Sequence, residues 1–334
     1  MPAAGAPVRG AGKRSLTALI SSAGRRVALM NSFRRAAAEL DIDLRVLACD
    51  RMPEWSSACQ MADDCFQVPP VKDGAYIPAL KRICEQETVD LLVPTIDPEL
   101  ALLSAARNDF LAQGIAIAVS DPTVIGLAGD KLATANQLAS AGMPTPRSAS
   151  LEQALLDPDA WSGAIVVKPR HGSAGRDIHI LPSAHALSAL PRTGEPLMVQ
   201  ELLTGDEYTV NIFIDDDGAL RAAVPHRRVA VRAGEVEKGV TARIPLLEQL
   251  AVRLAAALPG ARGPLCFQAM LGADGAASIF EINARFGGGY PLADHAGAPF
   301  ARWMLEQRCG MEVSAHDNWR SGVTMLRYDD AVFL

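Results

Sequence analysis

Short apolar runs alternate with amphipathic stretches along the chain up to residue 125. Runs of apolar and β-branched residues predict strands, and apolar positions at helical spacing predict helices. The predicted strands are 16–20, 44–49, 65–68, 89–94 and 115–119, and the predicted helices are 27–39, 76–87, 98–113 and 122–128. Strands that alternate with helices are typical of a parallel sheet covered by helices. We therefore expect a parallel α/β domain at 14–125, preceded by a disordered leader of Ala, Gly and Pro at 1–13.

The pattern changes after a predicted helix at 130–141. That helix ends at Ala141-Gly142 and Pro144 follows shortly, a combination that stops helices. Further on, strands and hairpins dominate. The predicted strands are 164–169, 177–181, 197–202, 207–214, 219–231, 264–271 and 277–284, with helices at 183–189 and 246–258. We expect one unit at 126–200 and a second at 201–334.

Composition and charge narrow the class of protein. Apolar residues make up 49% of the 334 residues, so a large core can form, and the net charge of −6 argues against a nucleic-acid surface. No apolar run approaches the roughly 20 residues that span a membrane. Lys13-Arg14 precedes a short apolar run that resembles a weak signal peptide but fits a first strand better. The six cysteines form no Cys-x-x-Cys pair, so free thiols are expected rather than a zinc site. The expected location is the cytoplasm.

One predicted strand carries polar side chains at alternate positions. Glu281, Asn283 and Arg285 project to the same face, because side chains two apart on a strand do so. Oxygen ligands of this kind suit Mg²⁺, and a guanidinium suits phosphate oxygens. Gln268, on the strand joined by the Asp274-Gly275 turn, could add a further oxygen ligand. A buried glutamine satisfied by backbone hydrogen bonds explains Gln268 equally well.

Two lysines are candidates for holding phosphates. Lys168 ends an apolar strand and precedes a small-residue loop, where charge and backbone N–H groups together can bind phosphate. The loop residues singled out are Gly172, Ser173 and Gly175. An edge-strand lysine beside an ordinary hairpin is the alternative. Lys131 begins a helix, and an Asp130 cap with a solvated lysine would also explain it. The Walker A and Gly-x-Gly-x-x-Gly patterns are missing, which disfavours a P-loop or NAD site.

A strand ending in polar residues could contact adenine. Gln200, Glu201 and Leu203 would offer backbone groups to the base and Glu207 would accept from ribose hydroxyls, although a charged hairpin has the same appearance. A charged stretch follows, which we interpret as a loop over the active site whose arginines could hold a substrate carboxylate. Its candidate residues are Arg228, Arg232, Lys238 and Arg243. Gly288, within Gly287-Gly288-Gly289, could present a backbone N–H group. Solvated loop charges and a structural glycine loop remain the alternatives.

The order of these motifs over about residues 120–310 resembles the ATP-grasp superfamily. Within that superfamily, the chain resembles the ligases that are similar to the large chain of carbamoyl-phosphate synthetase, and the resemblance extends to the ligase group of pyrrolysine biosynthesis. The run from Leu19 to Val27 and the run from Val93 to Leu100 look like the α/β domain that precedes ATP-grasp in that group. The resemblance implies a parallel α/β pre-ATP-grasp domain followed by a two-subdomain α+β ATP-grasp fold.

The resemblance also implies an enzyme that joins a small carboxylate to a small amine. A carboxylate is phosphorylated by ATP, and an amine attacks the acyl phosphate to give an amide or peptide bond, ADP and phosphate. Mg²⁺, for which Mn²⁺ could substitute, is the implied metal. A homodimer is compatible with the sequence. Two alternatives stay open, namely carboxylation or carbamoyl transfer through carboxyphosphate, and a non-catalytic ATP-binding module.

The implied roles follow the motifs. Lys131 and Lys168 hold phosphates beneath a closing loop at 171–175. Gln200, Glu201 and Leu203 contact adenine, and Glu207 binds ribose. Gln268, Glu281 and Asn283 bind metal, with Gln268 standing where many relatives carry a carboxylate. Arg285, Lys168 and Lys238 are the catalytic candidates, while Arg228, Arg232, Arg243 and Gly288 are candidates for substrate binding.

Overall fold

A computed structural model describes residues 14–172, 177–190 and 194–334. The predicted leader at 1–13 and the loop residues Ser173 and Gly175 lie outside the described residues. Within the described ranges, three sheets follow one another, with five, four and six strands. Among the described residues, no helix combines the length and apolar character needed to cross a membrane.

The first sheet is parallel and lies between helices, as the alternating pattern predicts. Its elements are β1 (Arg14–Ser21), α1 (Val27–Glu39), β2 (Ile42–Asp50), α2 (Ser57–Gln60), β3 (Asp64–Gln67), α3 (Tyr76–Gln86), β4 (Leu91–Pro94), α4 (Asp97–Leu111) and β5 (Ala116–Ile117). The strand order is β3-β2-β1-β4-β5, with Ile20 of β1 beside Ala48 and Val93. The carboxyl ends of β1, β2 and β4 therefore share one edge, where open α/β sheets bind ligands.

The second sheet is antiparallel and has a small core of its own. It is preceded by α5 (Pro122–Ala128) and α6 (Lys131–Ser140), and its elements are β6 (Ser148–Ser150), α7 (Leu151–Leu156), β7 (Ile165–Pro169), β8 (His179–Leu181) and β9 (Leu197–Glu201). The predicted short helix at 183–189 is a 3-10 helix at Ala184–Ala189. The strand order β6-β9-β7-β8 places β7 inside the sheet. Its core, around Trp161 and Val199, is separate from the rest of the buried apolar residues.

The third sheet is antiparallel and has helices from the C-terminal part of the chain. Its elements are β10 (Asp206–Ile214), β11 (Leu220–Arg232), β12 (Glu235–Thr241), α8 (Pro245–Ala257), β13 (Gly263–Leu271), β14 (Ala277–Asn283), α9 (Tyr290–Ala296), α10 (Phe300–Arg308) and β15 (Thr324–Leu326). The order is β14-β13-β10-β11-β12-β15. The mixed fold agrees with the predicted class, and the domain boundaries at 125/126 and 200/201 stay predictions.

One sequence interpretation is wrong here. The charged stretch expected to be a loop over the active site forms the end of β11 and the strand β12, with Arg232 opposite Glu235. Ala233 and Gly234 make the turn with φ of 51° and 78°, the left-handed values that two-residue hairpins favour. Few positions of this hairpin are buried, so its sequence lacks the alternation of apolar and polar residues that would predict strands.

Apolar packing attaches the first sheet to the third. One aromatic series runs from Phe33 of α1 to Phe286, 6.1 Å between ring centroids, and from Phe286 to Tyr290, 4.6 Å apart. Both Phe33 and Tyr290 are fully buried. Aromatic pairs at these separations stabilise beyond the area that they bury. This packing fixes the edge of the first sheet relative to the segment that follows β14.

A buried carboxylate holds two loops at that edge. Glu99 of α4 is fully buried and accepts hydrogen bonds from Tyr76 Oη (2.5 Å), Ser22 Oγ (3.0 Å) and the backbone N–H of Thr95 (2.8 Å). Thr95 Oγ1 in turn donates to the Ser22 carbonyl at 2.7 Å. The loops after β1 and β4 are thereby connected. Burial raises the pKa of Glu99, although these donors oppose the shift.

Replacing Glu99 with alanine is expected to lower the free energy of unfolding by about 3 kcal/mol, because several buried donors lose their acceptor. Tyr76→Phe is the matched control and should cost about 1 kcal/mol, since it removes one hydrogen bond. Denaturant titration monitored by tryptophan fluorescence measures both. Equal costs for the two variants would show that Glu99 does not organise these loops.

Candidate active site

The three polar residues of the predicted catalytic strand lie together. Asn283 Nδ2 donates to Glu281 Oε1 at 3.5 Å, and Arg285 Nη2 donates to Asn283 Oδ1 at 3.1 Å. Their common face was expected from the alternation. The strand also carries a bulge that was not expected, because Gln268 pairs with Glu281 whereas Ala269 pairs with Ile279. Phe280 is the extra residue, and its ring centroid lies 5.7 Å from Lys168 Nζ.

Arg285 is held rigidly at the end of this face. Its Nη2 forms an ion pair with Asp97, the first residue of α4, at 2.7 Å, and its Nη1 donates to the Phe286 carbonyl at 3.0 Å. Burial lowers the pKa of Arg285, but Asp97, with Cys266 and Glu235, more than offsets this, so the pKa lies above its usual value. Arg285 Nε is buried and has no partner among the described residues. A permanently charged group with a spare donor therefore faces the site.

The donor set on β13 and β14 fits a hard cation. Gln268 is half-buried and its amide has no hydrogen-bond partner in the described part of the chain, so the alternative of a backbone-satisfied glutamine has no support. Among the described residues, the Glu281 carboxylate accepts a hydrogen bond only from the Asn283 amide. One carboxylate and two amide oxygens on neighbouring strands are ligands that Mg²⁺ accepts. In the described part of the chain, no group of three or more His, Cys, Asp or Glu side chains could hold a metal ion.

Lys168 faces this set from the second sheet. It lies on the interior strand β7, so the edge-strand alternative is wrong. Only 7% of Lys168 is exposed, and its Nζ donates to Gln200 Oε1 at 2.8 Å. Burial lowers the pKa of Lys168 to about 8, while Glu281 opposes this shift and Lys131 adds to it. Both lysines and the Glu281 carboxylate are therefore close enough to interact electrostatically.

The start of α6 is tied to the segment after β7. Asp130 caps the helix by accepting from the backbone N–H groups of Leu132 and Ala133, both at 3.1 Å. Arg170 binds the same carboxylate through two nitrogens, at 2.7 and 2.5 Å. Lys131 Nζ donates to the Gly172 carbonyl oxygen, so this lysine is not simply solvated. Lys131 therefore stands at the entrance of the predicted phosphate loop.

The end of β9 and the segment after it carry the residues that were predicted to contact adenine. Gln200 is held by Lys168 and donates to Ser148 Oγ at 2.9 Å, and it pairs with Ser148 of β6 and with Val166 of β7. Glu201 is exposed, and the Leu203 N–H has no partner among the described residues. Gly205, with φ of 137°, lies against the Leu271 carbonyl, where any Cβ would clash at 2.2 Å. The connection therefore passes close to β13 with a free N–H group.

Glu207 and Arg228 are paired with each other. Arg228 Nε lies 2.9 Å from Glu207 Oε1, and only 8% of the arginine side chain is exposed. Burial raises the pKa of Glu207, with Arg228 opposing and Glu281 adding to the shift. Arg228 thus holds Glu207, the residue predicted to bind ribose, in place. Because Arg228 is paired with Glu207, this contact does not support its predicted role in binding a substrate carboxylate.

Three other predicted residues are not brought to the site by their contacts. Arg232 forms ion pairs with Asp329 (2.6 Å) and Glu237 (3.1 Å). Arg243 stacks on Trp319, 3.6 Å from the ring centroid, and pairs with Asp317. Lys238 is exposed on β12 without a recorded contact to any site residue in the described segments. Their proposed roles in catalysis and substrate binding remain predictions without support from these contacts.

Gly288 and Gly289 leave no room for a side chain, because neighbouring side chains occupy the space that a Cβ would take. A Cβ on Gly288 would lie 1.5 Å from Glu235 Oε2, and one on Gly289 would lie 2.5 Å from His226 Nε2. His226 is fully buried, and burial lowers its pKa to about 3. The N–H of Gly288 has no partner among the described residues, so it stays available to a ligand. Glycine is therefore required at positions 288 and 289 so that Glu235 and His226 can lie against the backbone.

Sequence reasoning assigned no role to four charged residues near Arg285. They are Arg26, Asp97, Glu235 and Arg327. Arg26 follows β1 at the edge where ligands bind to open α/β sheets, so its position offered a signal. Glu235 was hidden in the stretch interpreted as a loop. Arg327 has no recognisable pattern around it.

The lowered pKa of Lys168 predicts a pH dependence of nucleotide binding. Lys168 loses its proton as the pH rises through about 8. A triphosphate favours the charged form, so MgATP affinity should fall by about tenfold between pH 7.5 and 9.5. Lys168→Arg should remove this fall, because guanidinium stays protonated throughout the range. Calorimetric titration across pH measures it; a pH-independent affinity in the wild type would contradict the assignment.

Two family models match the chain. The model described as PylC-like, N-terminal domain covers residues 18–118, and the model described as ATP-grasp in the biosynthetic pathway with Ter operon covers residues 193–331. Together they account for the first sheet and for the third sheet with its helices. No residue role is assigned by these matches.

Solved structures share the fold over nearly all of the chain. The biotin carboxylase domain of Hydrogenobacter thermophilus 2-oxoglutarate carboxylase, solved with MgADP and bicarbonate, has a TM-score of 0.72 at 16% identity, covering 92% of this chain and 73% of that one. N5-carboxyaminoimidazole ribonucleotide synthetase from Thermotoga maritima has a TM-score of 0.67 at 17% identity, covering 90% and 78%. L-amino acid ligase from Bacillus licheniformis has a TM-score of 0.68 at 16% identity, covering 92% and 78%.

The expected resemblance to ATP-grasp proteins is confirmed by the family model over residues 193–331, and the Hydrogenobacter thermophilus domain with the same fold was solved with MgADP. Residues 18–118 thus match a PylC-like N-terminal domain, and residues 193–331 match an ATP-grasp model.

Proposed function

We propose that this protein is an ATP-dependent carboxylate–amine ligase that forms an amide or peptide bond through an acyl phosphate. One observation carries the proposal. Arg285 is fixed by Asp97 beside the Glu281–Asn283 face, and Lys168 faces Glu281 from the opposite sheet. Charges of this kind are needed where a phosphoryl group is transferred, because positioning and charge neutralisation dominate that chemistry. A module that only binds nucleotide has no need of Arg285.

The nucleotide would lie in the cleft between the second and third sheets. The Leu203 N–H and the backbone beside Gln200 would contact adenine, and Glu207, held by Arg228, would accept from ribose. Lys168 and Lys131 would neutralise phosphate oxygens. The separate core of the second sheet supports its movement as a unit over the bound nucleotide, the kind of closure that excludes water.

Phosphoryl transfer would take place beside Arg285. Glu281, Asn283 and Gln268 would hold Mg²⁺, which neutralises phosphate charge and polarises the phosphorus centre. A carboxylate oxygen attacks the γ-phosphorus and ADP leaves, so an acyl phosphate forms. Arg285 is positioned to stabilise the negative charge that spreads over the transferring group, and its fixed geometry means that little reorganisation is required.

Amide formation would follow at the same place. The uncharged amine attacks the carbonyl carbon of the acyl phosphate, the carbon–oxygen bond to phosphate breaks, and the departing phosphate accepts the proton released by the amine. Arg285 would stabilise the leaving phosphate during this step, since its charge lies next to the bond that breaks. Both half-reactions therefore use one charged group.

Substrate-dependent product formation tests the proposal. Phosphate and ADP should appear only when an acid and an amine from a panel of amino acids and small carboxylates are supplied together, with the product identified by mass. Release of AMP and pyrophosphate would contradict it. A requirement for bicarbonate, with labelled bicarbonate in the product, would instead establish carboxylation through carboxyphosphate. ATP binding without turnover over the whole panel would favour a non-catalytic module.

The proposed setting is a cytoplasmic enzyme acting on small molecules, supported by its use of ATP. We further propose a homodimer, since the Hydrogenobacter thermophilus domain with the same fold was solved as a dimer. Sedimentation equilibrium should give twice the 35.4 kDa chain mass. The mass of one chain at all concentrations would exclude the dimer.

A further inference from the structure

Arg285 and two other arginines, from separate parts of the chain, lie close together. Arg26 follows β1, Arg285 follows β14, and Arg327 follows β15. Arg26 Nη1 forms an ion pair with Glu235 at 3.1 Å, and Arg327 Nη2 donates to the Gly288 carbonyl. Burial lowers the pKa of Arg26, and the nearby charges of Arg285 and Arg327 lower it further, although Glu235 opposes the shift. The three guanidinium groups are therefore close enough to repel one another.

Two carboxylates are interleaved with these arginines. Asp97 pairs with Arg285 at 2.7 Å and Glu235 pairs with Arg26, so three positive and two negative charges leave a net charge of +1. Arg285 Nε and Arg327 Nε are buried without hydrogen-bond partners among the described residues. The cluster thus holds one more positive charge and more donors than its own acceptors satisfy.

Solvent reaches the cluster. The exposed fraction of the side chain is 21% for Arg26 and 32% for Glu235, against 12% for Arg285. Glu235 lies directly on Gly288, whose missing side chain makes room for that carboxylate. Glu235 directly follows the exposed turn at Ala233 and Gly234 and is itself half-buried. The Arg26–Glu235 ion pair is therefore partly exposed, so a ligand can reach it.

We infer that the carboxylate substrate is an amino acid, whose carboxylate is held by Arg26 and Arg327 beside Arg285 and whose ammonium group is held by Glu235. A carboxylate binds guanidinium groups through paired, charge-assisted hydrogen bonds. A zwitterion supplies both charges, so each partner of the opened Arg26–Glu235 pair regains an opposite charge. Since an unpaired charge in a partly buried site is costly, a ligand with both charges is preferred over one with a carboxylate alone. The inference rests on the proposed ligase function.

Binding of two ligand pools to the MgADP-loaded protein tests this inference. One pool contains the twenty proteinogenic amino acids, and the other contains the matching carboxylates without the α-amino group. The readout is the pool concentration that gives half of the maximal thermal shift. In the wild type the amino-acid pool should act at a concentration at least tenfold lower, as expected for one additional ion pair in a partly buried site.

The variants separate the two ends of the ligand. Glu235→Gln should raise the half-effect concentration about tenfold for amino acids while changing that of the other pool less than about twofold. Arg26→Gln and Arg327→Gln should raise it for both pools, and Arg26→Lys should retain part of the binding because it keeps the charge. Arg25→Gln, an exposed neighbour, is the matched control and should change neither. MgADP binding should stay within about twofold in all variants.

The inference and the ligase proposal fail in different ways. Equal response to both pools, or Arg26→Gln and Glu235→Gln variants that bind amino acids like the wild type, would overturn the inference. Phosphate release driven only by carboxylates without an amino group would also overturn it and leave the ligase proposal intact. Amino-acid binding that depends on Arg26 and Glu235, without phosphate release, would support the site and refute the ligase.

Discussion

Replacing Arg285 with alanine is expected to lower kcat by about 10³-fold while MgATP binding changes by less than about threefold. Arg285 contacts Asn283 and Asp97 rather than the segments proposed to bind adenine or ribose, so its charge acts mainly on the transferring phosphoryl group. The Asp97 side chain is 25% exposed, so water can solvate the carboxylate that loses its partner. The loss should therefore be catalytic rather than a failure to fold.

Two further variants make this test specific. Arg285→Lys keeps a charge but loses the planar fork, so it should recover part of the activity. Arg253→Ala removes an exposed arginine of α8 that donates to the Gly142 carbonyl at 2.7 Å, and should leave kcat within about twofold. Steady-state rates and calorimetry on the same preparations provide both quantities. Wild-type turnover by Arg285→Ala would remove this residue from the mechanism.

Replacing Glu281 with glutamine should lower kcat by about 10²-fold and raise the Mg²⁺ concentration required for half-maximal rate at least tenfold. Glu281 is the only carboxylate of the proposed donor set, since Gln268 and Asn283 are neutral. The Glu281 charge also raises the pKa of Lys168. Its removal should lower that pKa below about 8 and move the pH-dependent fall of MgATP affinity to lower pH.

Glu237→Gln is the matched control for this substitution. Glu237 lies on β12 of the same sheet and pairs with Arg232 at 3.1 Å, away from the proposed ligands. Metal titrations and pH profiles of both variants should separate a site effect from a general charge effect. If Glu281→Gln kept the wild-type metal requirement, the metal assignment would be wrong.

Much of the fold could be predicted because local patterns determine it. Two helices, α1 at Val27–Glu39 and α5 at Pro122–Ala128, begin and end at the predicted residues. Their amphipathic spacing and, for α5, a proline in the first turn are local signals. The alternation at Glu281, Asn283 and Arg285 is equally local, since the strand pleat alone puts these side chains on one face.

The parts that could not be predicted depend on distant contacts. The bulge at Phe280 exists because of how β14 pairs with β13, and nothing in its own sequence signals it. The strand β12 needs β11 and the three-residue β15 on its two sides. Arg26 and Glu235 are 209 positions apart in the sequence, so only the docking of the first sheet onto the third brings them together. No periodic pattern in the sequence predicts that Arg26 and Glu235 form an ion pair.

Oxygen transfer is the most direct test of an acyl phosphate intermediate. The active carboxylate from the panel, with both carboxyl oxygens replaced by ¹⁸O, is incubated with ATP, Mg²⁺, the amine and the enzyme, and the released phosphate is analysed by mass. The mechanism predicts one ¹⁸O atom in each phosphate, because the attacking carboxylate oxygen leaves with phosphorus when the amide forms. Unlabelled phosphate, with amide formed at the same rate, would contradict it.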